Sequence, residues 1–302
     1  MNIQDSIIKT IKYFNLFDFP LTADEIMQYL YNFNKPLHIK EVKGNLGELV
    51  NDGVLEEIKD FYVLSGRTIL IEKRKSRQFI AEKLWNRVQL YSQYLRVVPF
   101  VRMVAVCNNL SYNNPSEESD IDLFIVIKSG RMWSSRLFIS LLLQFFGVRR
   151  HGNLVRGRFC LSFFVTEKHL SMEPLQIKPE DPYLAYWTTL LTPVYGKDMY
   201  SDFMGANKNW LKKDYGLSFP EDRYEKHGSL ANESKFKLFL EWILSGFIGD
   251  SFESLLKKTF KKRTLNKMKL ANADASIIVK DDILKFHNHD RRHTYYHKWK
   301  ND

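Results

Sequence analysis

The sequence predicts an α+β protein in which helices flank a sheet. Two observations predict it: strongly apolar, strand-like runs stand at residues 101–107 and 120–127, and apolar residues recur at helical spacing before and after them. The 302 residues are enough for two or three domains with hydrophobic cores. We divide the chain into four parts and expect the last to be a C-terminal helical region. These parts are residues 1–66, 67–98, 99–180 and 181–302.

Composition excludes general disorder, because 44% of the residues are hydrophobic and 14% are aromatic. No secretory signal is visible after Met1, and no apolar run is long enough to span a bilayer. The two cysteines, Cys107 and Cys160, stand in apolar strand-like segments, so a disulfide framework is not expected. We therefore expect a cytoplasmic protein without a membrane span.

Residues 1–66 have the element order of a winged helix. Apolar residues at helical spacing predict the first and third helices, and the capping box of Thr22 and Glu25 predicts the start of the second. A turn at Asp52-Gly53 then leads into two short strands, Val54-Leu55 and Phe61-Tyr62-Val63-Leu64. Three helices followed by a β-ribbon predict a winged-helix-like domain.

DNA binding is one function of such a domain, with the third helix in the major groove. Phosphate contacts need Lys and Arg, whereas residues 1–66 carry six Lys and no Arg against ten Asp and Glu. The predicted third helix itself mixes Lys40 and Lys43 with Glu41 and Glu48. DNA binding by this domain is therefore an alternative, and a role in protein contact or domain packing is favoured.

Residues 67–98 predict a basic helical connector, because aliphatic and aromatic residues keep helical spacing among many Lys and Arg and Pro99 follows. Residues 67–102 carry nine basic and two acidic side chains, although the whole chain has a net charge of only +10. We interpret these charges as a solvated helix face. A face turned towards phosphates is the alternative.

Asp120 and Asp122 begin the second apolar run. Residues two apart in a strand project from the same side, so the two carboxylates face one way while Ile121 and Leu123 face the other. Carboxylates beside an apolar strand are unfavourable unless they are solvated, paired or bound to a metal, and Mg²⁺ is bound by one or two carboxylates together with substrate phosphates. The alternative is a polar start to the strand, with Asp120 capping the preceding loop.

The surrounding order is an apolar strand, a polar loop of about ten residues, Ser119-Asp-Ile-Asp122 at the start of a second strand, and a helix that begins near Arg131. This order resembles the DNA polymerase beta-type nucleotidyltransferase superfamily. The chain also resembles a bacterial family of nucleotidyltransferase-domain proteins with an N-terminal winged-helix-like region, in segments such as Gly130-Arg-Met-Trp133 and Phe286-His-Asn-His-Asp-Arg-Arg292. The likeness extends over nearly the whole chain.

The resemblance implies a nucleotidyltransferase-type mixed sheet over residues 99–180. It also implies Mg²⁺-dependent transfer of a nucleotidyl group from an NTP to an acceptor, which the sequence leaves open as a protein, a small molecule or RNA. Asp120 and Asp122 are the implied metal-binding and catalytic pair. The implied phosphate loop contains Asn108, Asn109 and Ser119.

Two features depart from the superfamily pattern. Asn108-Asn109 stands where a Gly-Ser pair lets the backbone approach the nucleotide phosphates, although Asn tolerates the left-handed backbone better than most residues. Active members also bring a third carboxylate from a neighbouring strand, whereas residues 159–165 contain no acid, with Ser162 in the middle and Glu167 only after the run. We therefore expect one Mg²⁺ rather than two, and reduced or lost activity.

Arg131 and Arg136, on the helix after the second strand, are candidate phosphate ligands because Arg forms planar, bidentate contacts. Pairing with Glu117 or Glu118, or simple surface exposure, is the alternative. His287, His289, His293 and His297 give the end of the chain a His-rich segment whose role the sequence leaves open. Two further functions remain as alternatives: a catalytically inactive nucleotide-binding or protein-interaction module, and a winged-helix DNA-binding regulator.

Overall fold

The structure is a computed structural model that describes residues 1–220, 234–270, 277–286 and 290–301. The helices are as follows: α1 Ile3–Asn15, α2 Ala23–Gln28, α3 Ile39–Asn51, α4 Ile69–Leu95, α5 Met132–Phe145, α6 Pro182–Leu190, α7 Lys197–Tyr215, α8 Lys235–Ile243, α9 Gly246–Leu270 and α10 Arg292–Asn301. The strands are β1 Leu21–Thr22, β2 Leu55–Ile58, β3 Phe61–Leu64, β4 Val101–Val106, β5 Ile121–Ile127, β6 Phe159–Thr166, β7 Thr192–Tyr195, β8 Ile277–Val279 and β9 Ile283–Phe286. The α+β class predicted from the sequence is confirmed.

The N-terminal part consists of α1, α2 and α3 with an antiparallel sheet in the order β1-β3-β2. The predicted capping box forms, because the Thr22 hydroxyl accepts from the Glu25 amide and the Glu25 carboxylate accepts from the Thr22 amide. Gly53 has φ of +70°, the left-handed conformation that glycine adopts most easily, and the chain turns there into β2. The basic connector, predicted over residues 67–98, forms one continuous helix, α4, from Ile69 to Leu95.

Within the described residues, the main sheet has six strands in the order β7-β4-β5-β6-β9-β8. Only β5 and β6 run parallel, and every other neighbouring pair is antiparallel. The parallel pair is joined through α5, the usual crossover connection between parallel strands. The sheet is therefore mixed, with β5 at its centre.

The two faces of the main sheet belong to different hydrophobic cores. Ile121, Leu123 and Ile125 pack with residues of α4, α5 and α9. Phe124 and Val126, on the other face of β5, pack with α6, α7 and the N-terminal helices. This alternation follows from the two-residue period of a strand. It determines which helices surround each side chain of β5.

The N-terminal part shares one of these cores with the main sheet. Tyr13 of α1 stacks on Tyr186 of α6, with ring centroids 4.1 Å apart, and the Tyr186 hydroxyl donates to the Tyr29 carbonyl at 2.8 Å. The indole of Trp299 in α10 donates to the carbonyl of Lys9 at 2.9 Å. Residues 1–66 are thus covered by α6 and α10.

The C-terminal part that we expected to be helical contains helices and also three strands among its described residues. Residues 181–302 contribute β7, β8 and β9 to the main sheet, so residue 180 does not separate two cores. These strands have four, three and four residues, too short for the two-residue alternation that identifies a strand in a sequence. Pro193 in β7 further obscures the pattern, because proline is depleted in strands. Across the described parts of the chain, no helix is long and apolar enough to cross a membrane.

Candidate functional site

Asp120 and Asp122 lie at the beginning of β5, where the polar loop after β4 ends. Both side chains are partly buried and stand near the thiol of Cys160 in β6. One carboxylate oxygen from each aspartate and the Cys160 sulfur all lie within 4.8 Å of one another. In the part of the chain that the structure describes, this is the one cluster of acidic, His or Cys side chains with a spacing suited to a metal ion.

Cys160 joins the aspartates because β5 and β6 are parallel and Asp122 lies opposite Cys160 in their register. The neighbouring strand therefore presents a thiol beside the carboxylate pair. Burial, together with the nearby carboxylates of Asp122 and Asp120, raises the pKa of this thiol far above its usual value. The thiol is consequently protonated at neutral pH and adds no negative charge to the site.

Arg150 supplies the positive charge of the site. Its guanidinium donates to an Asp120 carboxylate oxygen at 2.5 Å and approaches the Cys160 sulfur at 3.6 Å. Its backbone amide donates to the carbonyl of Phe159, which fixes the segment before β6 against that strand. The Arg150 side chain is 44% exposed, so solvent and solutes reach this ion pair.

Asn108 links the polar loop to the second aspartate. Its amide group donates to an Asp122 carboxylate oxygen at 2.7 Å, and its side-chain carbonyl accepts from the indole of Trp187 at 2.9 Å. The backbone of Asn108 is left-handed, with φ of +59°, a conformation that Asn adopts more readily than most residues. One residue therefore makes the turn after β4 and fixes the orientation of the Asp122 carboxylate.

Asp122 is unfavourably placed as an anion. Burial and, to a lesser extent, the charge of Asp120 raise the pKa of its carboxyl group to about 6, and the hydrogen bond from Asn108 opposes the rise. A cation at this position would relieve the repulsion between the two carboxylates. The two carboxylates could therefore interact favourably with a cation in addition to the guanidinium of Arg150.

Asn109 and Ser119 lie in the loops on either side of the pair, but their side chains bond locally. The Asn109 side-chain oxygen accepts from the Tyr112 hydroxyl at 3.0 Å. The Ser119 hydroxyl accepts from the Ser116 amide at 2.9 Å. Both residues therefore shape the loops, and neither side chain is hydrogen-bonded to the aspartates.

Arg131 and Arg136 are not brought to the aspartate pair. Arg131 follows the far end of β5 and pairs with Asp250 of α9 at 2.6 Å. Arg136 lies on α5, which covers the opposite face of the sheet, and its guanidinium packs 4.6 Å from the ring centre of Phe286. Their position on the helix directly after β5 had suggested that they could reach phosphates at the aspartate pair. The crossover connection instead carries α5 to the face of the sheet opposite the aspartates.

Glu167 also lies away from the pair. It follows the far end of β6, where its carboxylate accepts from the Ser129 amide at 3.3 Å and approaches the Arg102 guanidinium at 3.8 Å. It therefore does not serve as a third carboxylate at the site. In the His-rich segment, His293 and His297 are exposed on α10, and the other two histidines lie outside the described residues.

A cavity of about 150 Å³ opens beside Asn108 and Trp187. Its walls combine aromatic side chains of α6 and α10 with basic side chains from β9 and the start of α10. The basic members are Lys285, Arg291 and Arg292. Arg292 is paired with the buried Asp181 at 2.7 Å and with Asp290 at 2.5 Å. The cavity thus offers positive charge close to the carboxylate pair.

The residues present fit one divalent cation. Two carboxylates that share one face of a strand are the protein ligands that Mg²⁺ commonly takes when phosphates supply the rest. Burial and the charge of Asp120 raise the pKa of Asp122, and a cation between the two carboxylates would oppose both effects. A second ion would need another anionic ligand, and Cys160 provides a neutral thiol in its place.

Comparison with known proteins finds no matching family model, no matching curated protein and no matching solved structure.

Proposed function

We propose that this chain binds an NTP together with one Mg²⁺ at Asp120 and Asp122 and transfers its nucleotidyl group to an acceptor, as the resemblance to DNA polymerase beta-type nucleotidyltransferases implies. The observation that carries the proposal is the pair of partly buried carboxylates at the start of β5, joined to the preceding loop by Asn108. A buried pair of this kind is unfavourable without a cation.

The topology around the pair supports a nucleotidyltransferase-type sheet. The superfamily pattern requires a strand, a phosphate-binding loop, the Asp-x-Asp strand and a neighbouring strand that carries the third acid. Here β4, the Asn108 loop, β5 and β6 follow in that order, and Cys160 stands opposite Asp122. Cys160 therefore occupies the place at which we expect the third carboxylate of an active member.

Asp120 and Asp122 would hold the ion, and Asn108 would orient Asp122. The ion would supply positive charge that neutralises the phosphates. Arg150, now paired with Asp120, would turn to a phosphate oxygen when the ion takes over that carboxylate. Lys285 and Arg291 of the adjacent cavity would bind further phosphate oxygens.

Proton removal from the acceptor is the weak step of this arrangement. A thiol whose pKa lies far above its usual value is a poor general base at neutral pH. Among the described residues, no third carboxylate clusters with the pair. We therefore propose slow transfer, with nucleotide binding as the more robust property of the site.

Equilibrium binding of an NTP with and without Mg²⁺ tests the site. We expect Mg²⁺-dependent binding that Asp122→Asn weakens by about a hundredfold, because the substitution removes a charged ligand. Glu117→Gln is the matched control, since it removes a carboxylate from the same loop at a side chain that is 67% exposed. Unchanged NTP binding by Asp122→Asn would overturn the proposed site.

Transfer of label from an NTP to an acceptor distinguishes an enzyme from a nucleotide-binding module. Incubation with α-labelled NTP and millimolar Mg²⁺, followed by analysis of protein, RNA and small-molecule fractions, is expected to show label that Asp122→Asn does not incorporate. Mg²⁺-dependent NTP binding with no incorporation in any fraction would leave an inactive nucleotide-binding module as the function.

The N-terminal part supports a winged-helix-like module that packs within the protein. Its three helices and antiparallel ribbon have the expected order, and α1 is covered by α6 and α10. Its net acidic charge disfavours phosphate contacts. Duplex DNA binding that falls steeply with salt and persists when Asp122 is replaced by Asn would instead support a DNA-binding regulator.

A further inference from the structure

Helix α8 turns two charged side chains, Lys237 and Glu241, towards the protein and most of its large apolar side chains towards solvent, although Lys235 at its start is exposed. Lys237 is fully buried, and its ammonium group donates to the Val101 carbonyl and the Tyr195 hydroxyl at 2.7 and 2.8 Å. The large apolar side chains of the helix face solvent instead: Phe236 is 59% exposed and Trp242 is 75% exposed. A helix on a water-exposed surface normally has the reverse arrangement.

Helix α9 continues this apolar surface from its first turn. Phe247 is 86% exposed and Ile248 is 70% exposed. Successive helical positions are 100° apart, which places Leu255, 62% exposed, between these two side chains around the helix axis. We call Phe236, Phe239, Trp242, Phe247, Ile248 and Leu255 the apolar ridge.

Polar contacts hold α8 on the sheet and α9 on α5, so the exposure of the apolar ridge is not a sign of loose packing. The Glu241 carboxylate accepts from the Phe100 amide at 2.6 Å and pairs with Arg102 at 2.9 Å. The Glu253 carboxylate accepts from the amides of Trp133 and Ser134 at 2.7 and 2.8 Å. The apolar ridge is therefore presented outward by well-anchored helices.

The charge beside the apolar ridge is positive. Lys258, Lys262 and Arg263 are exposed along α9, after the apolar first turns. Residues 235–266 contain three acidic side chains, and each has a partner within the protein. Glu241 forms an ion pair with Arg102, Asp250 forms one with Arg131, and Glu253 accepts hydrogen bonds from the start of α5. Asp281 pairs with Lys257 and Lys261. A partner of the ridge would therefore meet aromatic side chains together with the exposed basic groups of Lys258, Lys262 and Arg263.

We propose that the apolar ridge and the basic cluster of α9, formed by Lys258, Lys262 and Arg263, bind the surface of an anionic membrane. Helices that lie in the membrane interface combine exposed Trp, Phe and Leu with Lys and Arg, and anionic lipids attract the basic groups. The ridge side chains project from the protein, as insertion between headgroups requires. A symmetric dimer through the same surface would bring two copies of the basic cluster towards each other.

Co-sedimentation of the full chain with lipid vesicles tests the proposal. We expect the chain to bind vesicles of phosphatidylcholine and phosphatidylglycerol at least about tenfold more tightly than vesicles of phosphatidylcholine alone, and to lose that difference at high salt. Equal partitioning into both vesicle types, or none into either, would overturn the proposal.

Substitutions separate the contribution of the aromatic side chains to vesicle binding from that of the basic side chains. Trp242→Ala with Phe247→Ala is expected to weaken binding to the anionic vesicles about tenfold or more by removing two inserted aromatic side chains. Phe79→Ala is the matched control, because Phe79 is a similarly exposed aromatic side chain, at 58%, on α4 and is not a member of the apolar ridge. Equal weakening by the control would contradict the assignment of the surface.

The basic contribution has its own pair of variants. Lys258→Ala with Lys262→Ala is expected to reduce binding about tenfold, whereas Lys212→Ala with Lys213→Ala, a pair of exposed lysines on α7, is expected to leave it unchanged. Two results would replace the membrane by another partner. One is self-association that the Trp242→Ala/Phe247→Ala chain loses, without vesicle binding, and the other is RNA binding that the Lys258→Ala/Lys262→Ala chain loses, again without vesicle binding.

Discussion

Asp122 combines partial burial with a neighbouring negative charge, and each makes its ionised form less stable. Because the folded chain raises the pKa of this carboxyl group to about 6, the folded state keeps a proton that the unfolded chain has already lost at mildly acidic pH. The free energy of unfolding therefore falls as pH rises from the unfolded pKa, near 4, towards 6. The site reduces stability at neutral pH.

Asp122→Asn is expected to stabilise the ion-free protein at pH 7 by about 1–2 kcal/mol, after allowance for solvent access. The substitution keeps the shape of the side chain and removes the unfavourable charge. Thermal unfolding of both chains in chelator, followed between pH 4 and pH 8, measures the effect. The stabilisation should be small at the acidic end and grow towards neutrality, and a constant difference would contradict the argument.

Binding of a divalent ion is expected to strengthen as pH rises through about 6, the pKa of the Asp122 carboxyl group. Protonation at lower pH removes one of the two charged ligands, so the affinity should fall about tenfold for each pH unit below that pKa. Titration calorimetry with Mg²⁺ alone, in buffers of equal ionic strength, measures the slope. An affinity that is constant from pH 5 to pH 8 would show that Asp122 is not a ligand.

Cys160→Asp is expected to raise the rate of nucleotidyl transfer by about tenfold or more, because it places a carboxylate opposite Asp122 on the neighbouring strand. Cys160→Ser, which is similar in size to cysteine and carries no charge, serves as the control and should leave the rate unchanged. The measurement is label transfer from an NTP at saturating Mg²⁺. A Cys160→Asp chain no faster than the Cys160→Ser chain would count against a catalytic site.

At the residue scale, the sequence identifies those parts of the site that lie close together along the chain. Asp120 and Asp122 follow from the two-residue period of a strand, and Asn108 follows from the resemblance, which places a phosphate loop at that position. Cys160 and Arg150 join them only through the parallel register of β5 and β6. A single sequence contains no signal that fixes the register between strands separated by a helix.

At the scale of elements, a carboxylate of α9 caps the beginning of α5. The N-terminal amides of a helix have no partners within the helix, and Arg131, the residue before α5, does not cap them with its side chain. Glu253 accepts from the Trp133 and Ser134 amides and from the Ser134 hydroxyl, the last at 2.6 Å. The partial positive charge of a helix N-terminus favours such an acid.

Glu253→Gln is therefore expected to lower the free energy of unfolding by about 1–2 kcal/mol, since a charged, buried acceptor becomes neutral. Asp250→Asn is the matched control on the same helix: its carboxylate is 64% exposed and pairs with Arg131, so its loss should change stability by less than about 0.5 kcal/mol. Urea unfolding of both variants measures the difference. Equal effects would mean that Glu253 contributes no more than a surface ion pair.

The long or well-capped elements were predictable, whereas the short strands that the C-terminal part adds to the main sheet were not. Helices α1 and α4 and strands β4 and β5 have apolar patterns that extend over enough residues to be recognised, and Thr22 with Glu25 marked the start of α2. Strands β7, β8 and β9 are held in the sheet by their neighbours, and their own sequences carry too little pattern. Whether such a short segment forms a strand depends on packing against residues that are distant in the sequence, and the local sequence does not specify that packing.

At the scale of the whole molecule, α1 and the central sheet belong to one hydrophobic core, although the sequence suggested a boundary near residue 66. Tyr13 stacks on Tyr186, and the amide of Asn32 donates to the Tyr215 carbonyl at 2.6 Å. Residues 1–66 and 181–215 are therefore coupled by both apolar and polar contacts. Separate unfolding of the N-terminal part would expose this shared core.

We expect the amide protons of α1 and of β5 to exchange with solvent through the same global unfolding step, because neither element can open without exposing that core. Native-state hydrogen exchange in increasing denaturant measures the free energy of opening for each. The two sets of values should converge and change equally with denaturant. Exchange of α1 at a clearly lower free energy than β5 would show that residues 1–66 unfold independently.

The contact between α1 and α10 also has a consequence for biosynthesis. Lys9 and Trp299, which are hydrogen-bonded in the folded protein, are 290 positions apart in the chain. The ribosome has thus released α1 long before it makes the helix that covers it, and the nascent chain emerges with an apolar face of aromatic rings still uncovered. Exposed surface of this kind is where chaperones bind and where unfinished chains aggregate. Slow translation of the last third of the message would lengthen that vulnerable period without changing a single contact of the finished protein.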